Sequence, residues 1–319
     1  MIRFAVRRLA WSLAVVWFVA TSVFAIYFAV PRDVARLVAG SRASEQTLML
    51  VRKRLGLDQP VRVQYVQFLM RLAHGDLGQS FQTQEAVTTI VARDLPVTTS
   101  LALGASVLWL VIGVGAGTIA ATCRRSRSDR AINTVAMAFY SMPTFLVGQL
   151  LLFFLFYQLY VAGYELFPPG SYVPFTESPL QWARFLILPW ASIALVSAAT
   201  YSRLTRGAML DVLHEDYIRT ARSKGISEHR VTIYHALRSA LTPVVSQFGI
   251  DVGSLMGGAI VTEVVFGLPG LGREAVQAIA NQDLPIIMGI TILSAALVVA
   301  ANLVVDVLQA VMDPRVRLE

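Results

Sequence analysis

Six long apolar runs constrain the fold of this chain more than any other feature of its sequence. They cover residues 9–30, 97–122, 135–161, 185–204, 244–266 and 286–311. A helix rises about 1.5 Å per residue, so each run is long enough to cross a hydrocarbon core about 30 Å thick. Only 15% of the residues are charged, against about a quarter in soluble domains. The sequence therefore predicts an all-α integral membrane protein with six transmembrane helices.

The first apolar run resembles a secretory signal at its start, because Arg3, Arg7 and Arg8 precede it. Its length is greater than the apolar core of a signal peptide, which spans about 7–15 residues. No small-residue cleavage site of the A-x-A type follows it. We therefore expect this run to stay attached to the chain as the first transmembrane helix.

The distribution of basic residues predicts the orientation of the spans. Six spans place both termini on one side, and Lys and Arg accumulate in short cytoplasmic loops. In this topology one side of the membrane holds most of the basic residues of the short loops and termini. They are Arg3, Arg7, Arg8, Arg124, Arg125, Arg127, Arg130, those of the loop 206–238, Arg315 and Arg317. The loops 163–184 and 267–285 hold one Arg each. The sequence predicts a multi-pass protein of the plasma or inner membrane with both termini cytoplasmic.

The segment 31–96 lies outside the cell in this topology, although it holds nine basic residues. Loops longer than about 60 residues translocate largely regardless of charge, so the segment is compatible with the predicted orientation. Apolar residues at helical spacing predict two short helices, at 45–55 and 60–72. A docking surface for an external partner is one interpretation of these helices. Packing on the membrane surface or on the spans is the other.

Several functional classes find no support in the sequence. Cys123 is the only cysteine, and His214, His229 and His235 follow no metal-ligand spacing, so neither a disulfide nor a metal site is expected. No GxxxxGK[ST] motif is present to hold ATP phosphates. The basic residues form no patch with exposed aromatic residues, so nucleic-acid binding is not expected. No intramembrane histidine can activate a serine, which argues against proteolysis.

The loop 207–243, between the fourth and fifth runs, is long for a simple connector. Its composition is helical on both sides of Gly225, and apolar residues recur at helical spacing after that glycine. The pattern predicts a helix, a turn and a second helix. Amphipathic helices facing the cytoplasm suit docking into a groove of a partner protein. A solvated hairpin without a partner is the alternative.

Eight blocks of sequence carry a resemblance to a known family. They are LGLDQPVRVQYVQFL (55–69), GDLGQSF (75–81), DLPVTTSLAL (94–103), SMPTFLVG (141–148), LPWASIAL (188–195), HEDYIRTARSKG (214–225), VFGLPGLG (265–272) and DPRVR (313–317). On these blocks the chain resembles the permease subunits of binding-protein-dependent ABC importers, in the dipeptide and oligopeptide group that also includes nickel permeases. The resemblance covers nearly the whole chain.

The resemblance implies the type I ABC importer permease fold with a cytoplasmic coupling helix. It implies a non-catalytic translocation subunit without a cofactor of its own, with ATP and Mg on partner ATPase chains. The implied partners are a homologous second permease chain, two ATPase subunits or domains, an external substrate-binding protein and a peptide substrate. The chain then divides into residues 1–94 (first span and external segment), 95–311 (five-helix core with the coupling loop 207–243) and 312–319 (cytoplasmic tail).

In this family the coupling helix lies before a glycine and sits in a cleft of the ATPase subunit. The family signature reads EAA, then three residues, then Gly. When its glycine is aligned with Gly225, the EAA positions are occupied by Arg219, Thr220 and Ala221, so this chain departs from the signature. The residues implied in coupling are Glu215, Asp216, Tyr217, Arg219, Thr220, Ala221, Arg222, Lys224 and Gly225. Ala221 would permit close approach of the helix to the cleft, and Gly225 would permit a sharp turn after it. The charged residues of the set would pair with the rim of the groove.

Charged side chains inside spans are costly and are therefore candidates for function. Asp251 is the clearest of them in this sequence. Gln247, Asp251, Ser254 and Gly258 share one helical face at i, i+4, i+7 and i+11. We expect this face to line a translocation path between two permease chains. A buried Asp bonded to a neighbouring helix, or a residue near the cytoplasmic gate, is the alternative.

Other residues in the spans are expected to shape the bundle. Glu263 either contributes to an external gate or pairs with Arg273. The glycines at positions 113, 115, 117, 253, 257 and 258 allow close helix packing. Pro143 and Pro189 should kink the helices that contain them.

The resemblance implies a permease subunit of an ATP-driven importer for di- and oligopeptides, forming half of the pathway. Import of nickel, glutathione or an oligosaccharide by the same architecture stays open, because specificity in this family lies mostly in the external binding protein. An ion-driven secondary transporter or channel is the alternative from another class. Such a protein would usually show inverted repeats or several intramembrane charges, and this chain has one central acid.

Overall fold

The computed structural model describes residues 2–29, 34–40, 43–54, 56–168 and 170–312. The helices are α1 (Ile2–Ala29), α2 (Val34–Ala39), α3 (Glu45–Arg54), α4 (Val61–Ala73), α5 (Val87–Thr122), α6 (Arg127–Tyr140), α7 (Thr144–Leu151), α8 (Gln158–Val161), α9 (Pro179–Val212), α10 (Asp216–Ser223), α11 (Glu228–Arg230), α12 (Arg238–Met256), α13 (Ile260–Phe266), α14 (Leu271–Ala280) and α15 (Leu284–Met312). Two π-helical segments, Leu152–Tyr157 and Val231–Leu237, join α7 to α8 and α11 to α12. No strand occurs in these ranges, so the all-α prediction is confirmed there. The predicted tail 312–319, apart from Met312, lies outside the described residues.

Six membrane spans are present in the described ranges when one bent pair of helices counts as a single span. Five helical stretches are long and apolar enough to cross a membrane: Arg7–Ile26, Val87–Thr122, Thr144–Val161, Pro179–Val212 and Leu284–Val305. The sixth span combines Glu228–Met256 with Ile260–Phe266, and the two parts meet at 54°. The six predicted spans are confirmed, although some begin, end or break at unexpected residues.

The fifth span is broken, whereas the sequence indicated a continuous helix. α12 ends at Met256 and α13 begins at Ile260. Between them Gly258 has a backbone φ of +118°, a value that residues with a Cβ rarely adopt. A Cβ on Gly258 would also lie 3.3 Å from the Cα of Gly272. The break thus lies against the first turn of α14, a contact that helical periodicity does not reveal.

The third span begins later than the predicted run 135–161. α6 ends at Tyr140, and Pro143 directly precedes α7 with extended backbone (φ −60°, ψ 140°). Proline lacks a backbone N–H and disfavours helical geometry in the residue before it, so Pro143 separates two helices here and does not kink one. Pro189 lies inside α9, which continues through it.

The connection between the fourth and fifth spans is shorter than the predicted loop 207–243. α9 continues to Val212 and α12 begins at Arg238, so Pro243 lies inside α12. The intervening residues form α10, a turn, α11 and the π-helical segment Val231–Leu237. The predicted helix, turn and second helix are confirmed within these residues.

α5 and α9 share the largest helix interface of the bundle. Trp109 and Tyr201 are fully buried in it, with ring centroids 5.9 Å apart. A Cβ on Gly113 would lie 2.5 Å from the Cβ of Tyr201, and one on Gly117 would lie 2.5 Å from the carbonyl oxygen of Ser202. The packing role predicted for these two glycines is confirmed, because only a glycine lets the two backbones come this close.

The other glycines of the spans behave differently from one another. Gly115 has no atom within 4 Å of an added Cβ, so packing within this chain does not explain it. Gly249 of α12 lies close to α15, since an added Cβ would lie 2.2 Å from Val305. Gly253 and Gly257, which the sequence singled out, have nearest atoms at 3.4 and 3.2 Å.

α3 and α4 confirm the two short helices predicted in the segment 31–96. α4 packs on the first span: the Tyr65 hydroxyl lies 2.8 Å from Thr21 Oγ1. The rings of Tyr65 and Phe68 lie 5.1 and 5.3 Å from the ring of Phe24. Packing against the spans is therefore the observed role of this face of α4.

Candidate coupling and translocation sites

α10 lies at the end of the bundle where α5 and α9 both end. Glu215 precedes it with extended backbone (φ −66°, ψ 147°), and Lys224 follows it. Asp216 in the first turn and Arg222 in the last turn have the charges that a helix dipole favours at those ends. Gly225 then adopts a φ of +75°, in the left-handed region. The helix closed by a glycine turn is thus present where the sequence predicted it.

One face of α10 packs on the chain's own core. Ile218 is fully buried and Ala221 is 7% exposed, in a cluster with Met209, Val231 and Ala236. Ala221 therefore permits close packing of α10 on the chain's own cluster, which includes Val231 and Ala236 of the π-helical segment. Its close approach to a partner groove stays a prediction. The three-residue spacing of Ile218 and Ala221 puts them on the same, inward side of the helix.

The remaining predicted coupling residues are exposed. They are Glu215, Asp216, Tyr217, Arg219, Thr220, Arg222, Lys224 and Gly225. Arg222 donates to both carboxylate oxygens of Glu228, at 2.7 and 3.3 Å. The Tyr217 hydroxyl donates to Ser239 Oγ at 3.1 Å. Exposed ion pairs contribute about 0–1 kcal/mol, so these contacts shape the hairpin while its outer face stays polar and accessible.

A cavity of about 540 Å³ lies between α5, the α6–α7 junction, α9, α12 and α13. It is lined by all four predicted path residues, Gln247, Asp251, Ser254 and Gly258, and by Trp109, Tyr140, Thr144, Ser197, Thr200 and Tyr201. The structure thus brings the predicted residues together. Gly258 reaches the cavity because the helix breaks there, and not by continuing the helical face. The volume is within the range of about 300–1,000 Å³ that is usual for small-ligand sites.

Asp251 is held from two sides in this cavity. The Tyr201 hydroxyl donates to its Oδ2 and Gln247 Nε2 donates to its Oδ1, both at 2.9 Å. Each carboxylate oxygen has a second lone pair, so the group keeps acceptor capacity for a ligand. Asp251 is therefore bonded to a neighbouring helix and also lines the cavity. The bond to a neighbouring helix, one of the alternatives for Asp251, is thus present, and its role in a translocation path stays a prediction.

Glu263 is fully buried in α13, directly after Thr262, which lines the cavity. It accepts hydrogen bonds from Thr98 Oγ1 at 2.8 Å and from the backbone N–H of Arg273 at 2.9 Å. Thr98 Oγ1 in turn accepts from the backbone N–H of Leu271 at 2.9 Å. The guanidinium of Arg273 donates to the Gly267 carbonyl, so the local pairing of Glu263 with Arg273 occurs through the backbone N–H and not through the two charged groups. This network fastens α5 and α13 to the segment that begins α14.

An ion pair that the sequence reasoning missed lies near α10. Arg206 donates through Nε and Nη2 to the two carboxylate oxygens of Asp129, at 2.9 and 3.0 Å. These bonds, and next the backbone N–H of Arg125, lower the pKa of Asp129 from its ordinary value. The available signal was the pattern Ser126-x-x-Asp129 at the start of α6, which is typical of a helix N-terminus. Nothing in the sequence pointed to Arg206 as the partner.

Comparison with known proteins assigns the chain to a family. Residues 113–318 match the family of binding-protein-dependent transport system inner membrane components. Residues 1–102 match the N-terminal part of such membrane components. The chain belongs to this family. It is thus the permease component of a binding-protein-dependent transport system and a multi-pass membrane protein.

Related permeases match this one over nearly their whole length. A permease protein named for a peptide transport system in Brucella abortus (strain 2308) is 42% identical over 311 residues, which are 98% of each chain. The di/tripeptide transport system permease DppB of Pseudomonas aeruginosa (strain UCBPP-PA14) is 37% identical over 333 residues. The glutathione transport system permease GsiC of Escherichia coli O6:H1 (strain CFT073) is 37% identical over 317 residues. Each of these two alignments covers 99% of both chains.

A solved structure supports the same fold. A chain of the MetNI methionine ABC transporter, in an inward-facing conformation, superposes with a TM-score of 0.56 at 16% identity. The alignment covers 70% of this permease and 96% of that chain. The predicted type I ABC importer permease fold is confirmed.

Proposed function

We propose that this permease forms half of the translocation pathway of an ATP-driven importer for di- and oligopeptides. The relatives from B. abortus and P. aeruginosa are named for peptide systems, and glutathione, in the name of the E. coli relative, is itself a tripeptide. The structural observation that carries the proposal is the cavity, where the Asp251 carboxylate lies among hydroxyl and amide groups. Such a lining suits an amide-rich cargo with an ammonium group, whereas nickel sites favour imidazole ligands.

In this importer the chain pairs with a homologous permease, two ATPase subunits and an external substrate-binding protein. ATP and Mg belong to the ATPase chains, because this sequence has no GxxxxGK[ST] motif. The end of the bundle that carries α10 faces the cytoplasm together with both termini, because basic residues gather in its short loops. Residues 1–94 supply the first span and the external segment, 95–311 the core, and 312–319 the tail.

The exposed face of α10 docks into a groove of an ATPase subunit. Two observations support this role: the face is polar and accessible, and the opposite face packs through Ile218 and Ala221 in a cluster that holds Met209 of α9 and Val231 of the π-helical segment. A displacement of α10 therefore moves α9. Because Ser197, Thr200 and Tyr201 of α9 line the cavity, the displacement reaches the pathway.

Reconstitution tests the proposed function. The permease pair, its ATPase subunits and the binding protein are placed in proteoliposomes, and uptake of labelled di-, tri- and tetrapeptides is measured with nickel, glutathione and an oligosaccharide as competitors. We expect peptide uptake that requires both ATP and the binding protein. Uptake driven by an ion gradient without ATP would contradict the proposal, as would uptake of nickel or oligosaccharide with none of peptide.

Asp251→Asn is expected to lower the rate of peptide uptake by about tenfold, since a hydrogen bond to a charged group contributes about 1.5–3 kcal/mol. Asparagine keeps the shape of the side chain and an acceptor for Tyr201, so the complex should assemble normally. The control is Ile250→Ala, because this neighbour is 60% exposed and does not line the cavity. Uptake kinetics that stay at the wild-type level in Asp251→Asn would remove Asp251 from the pathway.

Gly225→Val is expected to leave ATP hydrolysis running while peptide uptake falls. A left-handed conformation costs a residue with a Cβ about 1–2 kcal/mol, so the turn after α10 should shift to relieve the strain. Gly225→Asn is the matched control, because asparagine tolerates this conformation. Space does not limit either substitution, since no atom lies within 4 Å of the added Cβ. If uptake per ATP were the same in both variants, α10 would not depend on its turn for coupling.

A further inference from the structure

The contact between Asp129 and Arg206 is the best-defined ion pair on the side of the bundle that carries α10. The Asp129 side chain is 7% exposed and that of Arg206 is 27% exposed. Both guanidinium contacts are 3.0 Å or shorter, and they reach different carboxylate oxygens. A bidentate pair of this kind fixes the direction of the two side chains as well as their distance. Partial burial also protects it from screening by salt.

The Asp129 carboxylate is also anchored within its own segment. It accepts from the backbone N–H of Arg125 at 3.0 Å and from Asn133 Nδ2 at 2.6 Å. Arg125 has a φ of +64°, an uncommon conformation that this hydrogen bond helps to hold. Ser126 Oγ accepts from the backbone N–H of Asp129 at 3.1 Å. The carboxylate is therefore a rigid part of the start of α6, and Arg206 reaches a fixed target.

The pair connects two elements that carry the cavity wall. α6 ends at Tyr140, which lines the cavity, as does Thr144 in the first turn of α7. α9 lines the opposite part of the wall and continues to α10. A second contact between the same helices supports the link: the Arg203 guanidinium carbon lies 5.2 Å from the centroid of the Tyr140 ring. Arg203 and Arg206 are one turn apart on α9 and hold α6 at two points.

We propose that Asp129 and Arg206 are positioning residues for energy coupling, which tie the base of α9 to α6 so that a displacement of α10 moves both parts of the cavity wall. The inference rests on the proposed docking of α10 to an ATPase subunit. Without the pair, α6 would be held to α9 by the contact of Arg203 with Tyr140 alone, so Tyr140 and Thr144 would follow a movement of α9 less closely. ATP would then be hydrolysed with less peptide imported.

The test uses the full complex in proteoliposomes and measures peptide imported per ATP hydrolysed. Arg206→Lys keeps the positive charge but loses the planar fork that binds two oxygens. We expect the ratio to fall by about fivefold or more, the lower end of typical coupling between sites. Asp129→Asn should act in the same direction. The double variant Asp129→Asn with Arg206→Lys should lower the ratio no further than either single variant does, because both substitutions remove the same pair.

Arg130→Gln is the matched control, because Arg130 is exposed on the same helix and no ion pair of its side chain occurs among the described residues. It should change the ratio by less than about twofold, as surface substitutions do. A wild-type ratio in both Arg206→Lys and Asp129→Asn would overturn the inference. A parallel fall of import and hydrolysis that follows a lower melting temperature would overturn it too, because that result marks a purely structural role.

The same measurements separate this inference from the proposed function. If the wild-type complex binds its ATPase subunits and imports peptide with ATP, a normal ratio in the variants contradicts only the role of the pair. If the wild-type complex does not bind ATPase subunits, or shows no ATP-dependent import, the proposed function fails and this inference fails with it.

Discussion

Gly117→Leu is expected to prevent α5 from packing on α9 and to destabilise the permease by about 3 kcal/mol or more, the upper part of the range for overpacking. An added Cβ would lie 2.5 Å from the Ser202 carbonyl oxygen and 3.1 Å from the Arg206 backbone nitrogen. Both atoms belong to the backbone of α9, so no side-chain rotation can make room. The measurement is thermal unfolding of the detergent-solubilised permease, with the yield of monodisperse protein as a second readout.

Gly115→Leu is the control for this prediction. The two glycines lie on the same helix two residues apart, and they have the same intrinsic helix propensity. No atom lies within 4 Å of a Cβ added to Gly115, so the leucine should be accepted with little loss of stability. Equal destabilisation by the two leucines would show that the effect comes from the helix itself and not from its interface with α9.

Glu263→Ala is also expected to destabilise the permease, by about 2 kcal/mol or more, because each buried donor left without its acceptor costs about 1–3 kcal/mol. The substitution leaves the Thr98 hydroxyl and the Arg273 backbone N–H without their acceptor. It also empties the space next to Gly270, where an added Cβ would lie 2.5 Å from the Glu263 carboxyl carbon. Thermal unfolding measures the loss, and limited proteolysis should show the segment between α13 and α14 becoming cleavable.

Glu274→Ala is the matched control, because this half-buried carboxylate lies on α14 outside the Glu263 network. Burial, and after it the charge of Asp94, raises the pKa of Glu274 above its ordinary value. Its ionised form is therefore disfavoured in the fold, and its removal should change stability little. A melting temperature in Glu263→Ala as high as that of Glu274→Ala would mean that the buried network does not hold the segment.

The number and type of the spans could be predicted because they depend on local properties. Length and hydropathy alone decide whether a helix crosses a bilayer. The breaks could not be predicted in the same way. Gly258 adopts its conformation where the backbone of Gly272 lies against it. Pro143 is recognisable in the sequence as a helix-disturbing residue, but the sequence pattern does not tell whether such a proline bends one helix or separates two.

The candidate sites show the same division between local and long-range information. Helical spacing selected Gln247, Asp251 and Ser254 correctly as members of one face. It did not reveal Tyr201, which donates to Asp251 from another helix, fifty residues away in the sequence. For α10, composition and position predicted the helix and its turn. The inward placement of Ala221 depends on Met209 and Val231, which no local pattern connects with it.

The π-helical segment Val231–Leu237 affects how this region should be mapped by labelling. A π-helical turn holds more residues than an α-helical turn, so the helix wheel before the segment and the wheel after it are out of phase. Positions chosen for crosslinking on the α10–α11 side must therefore be indexed separately from those on α12. Cys123 is the only cysteine of the chain, so replacing it gives a cysteine-free permease into which single cysteines can be introduced as probes. Two scans, each with its own phase, would report which residues face a bound subunit and which face the pathway.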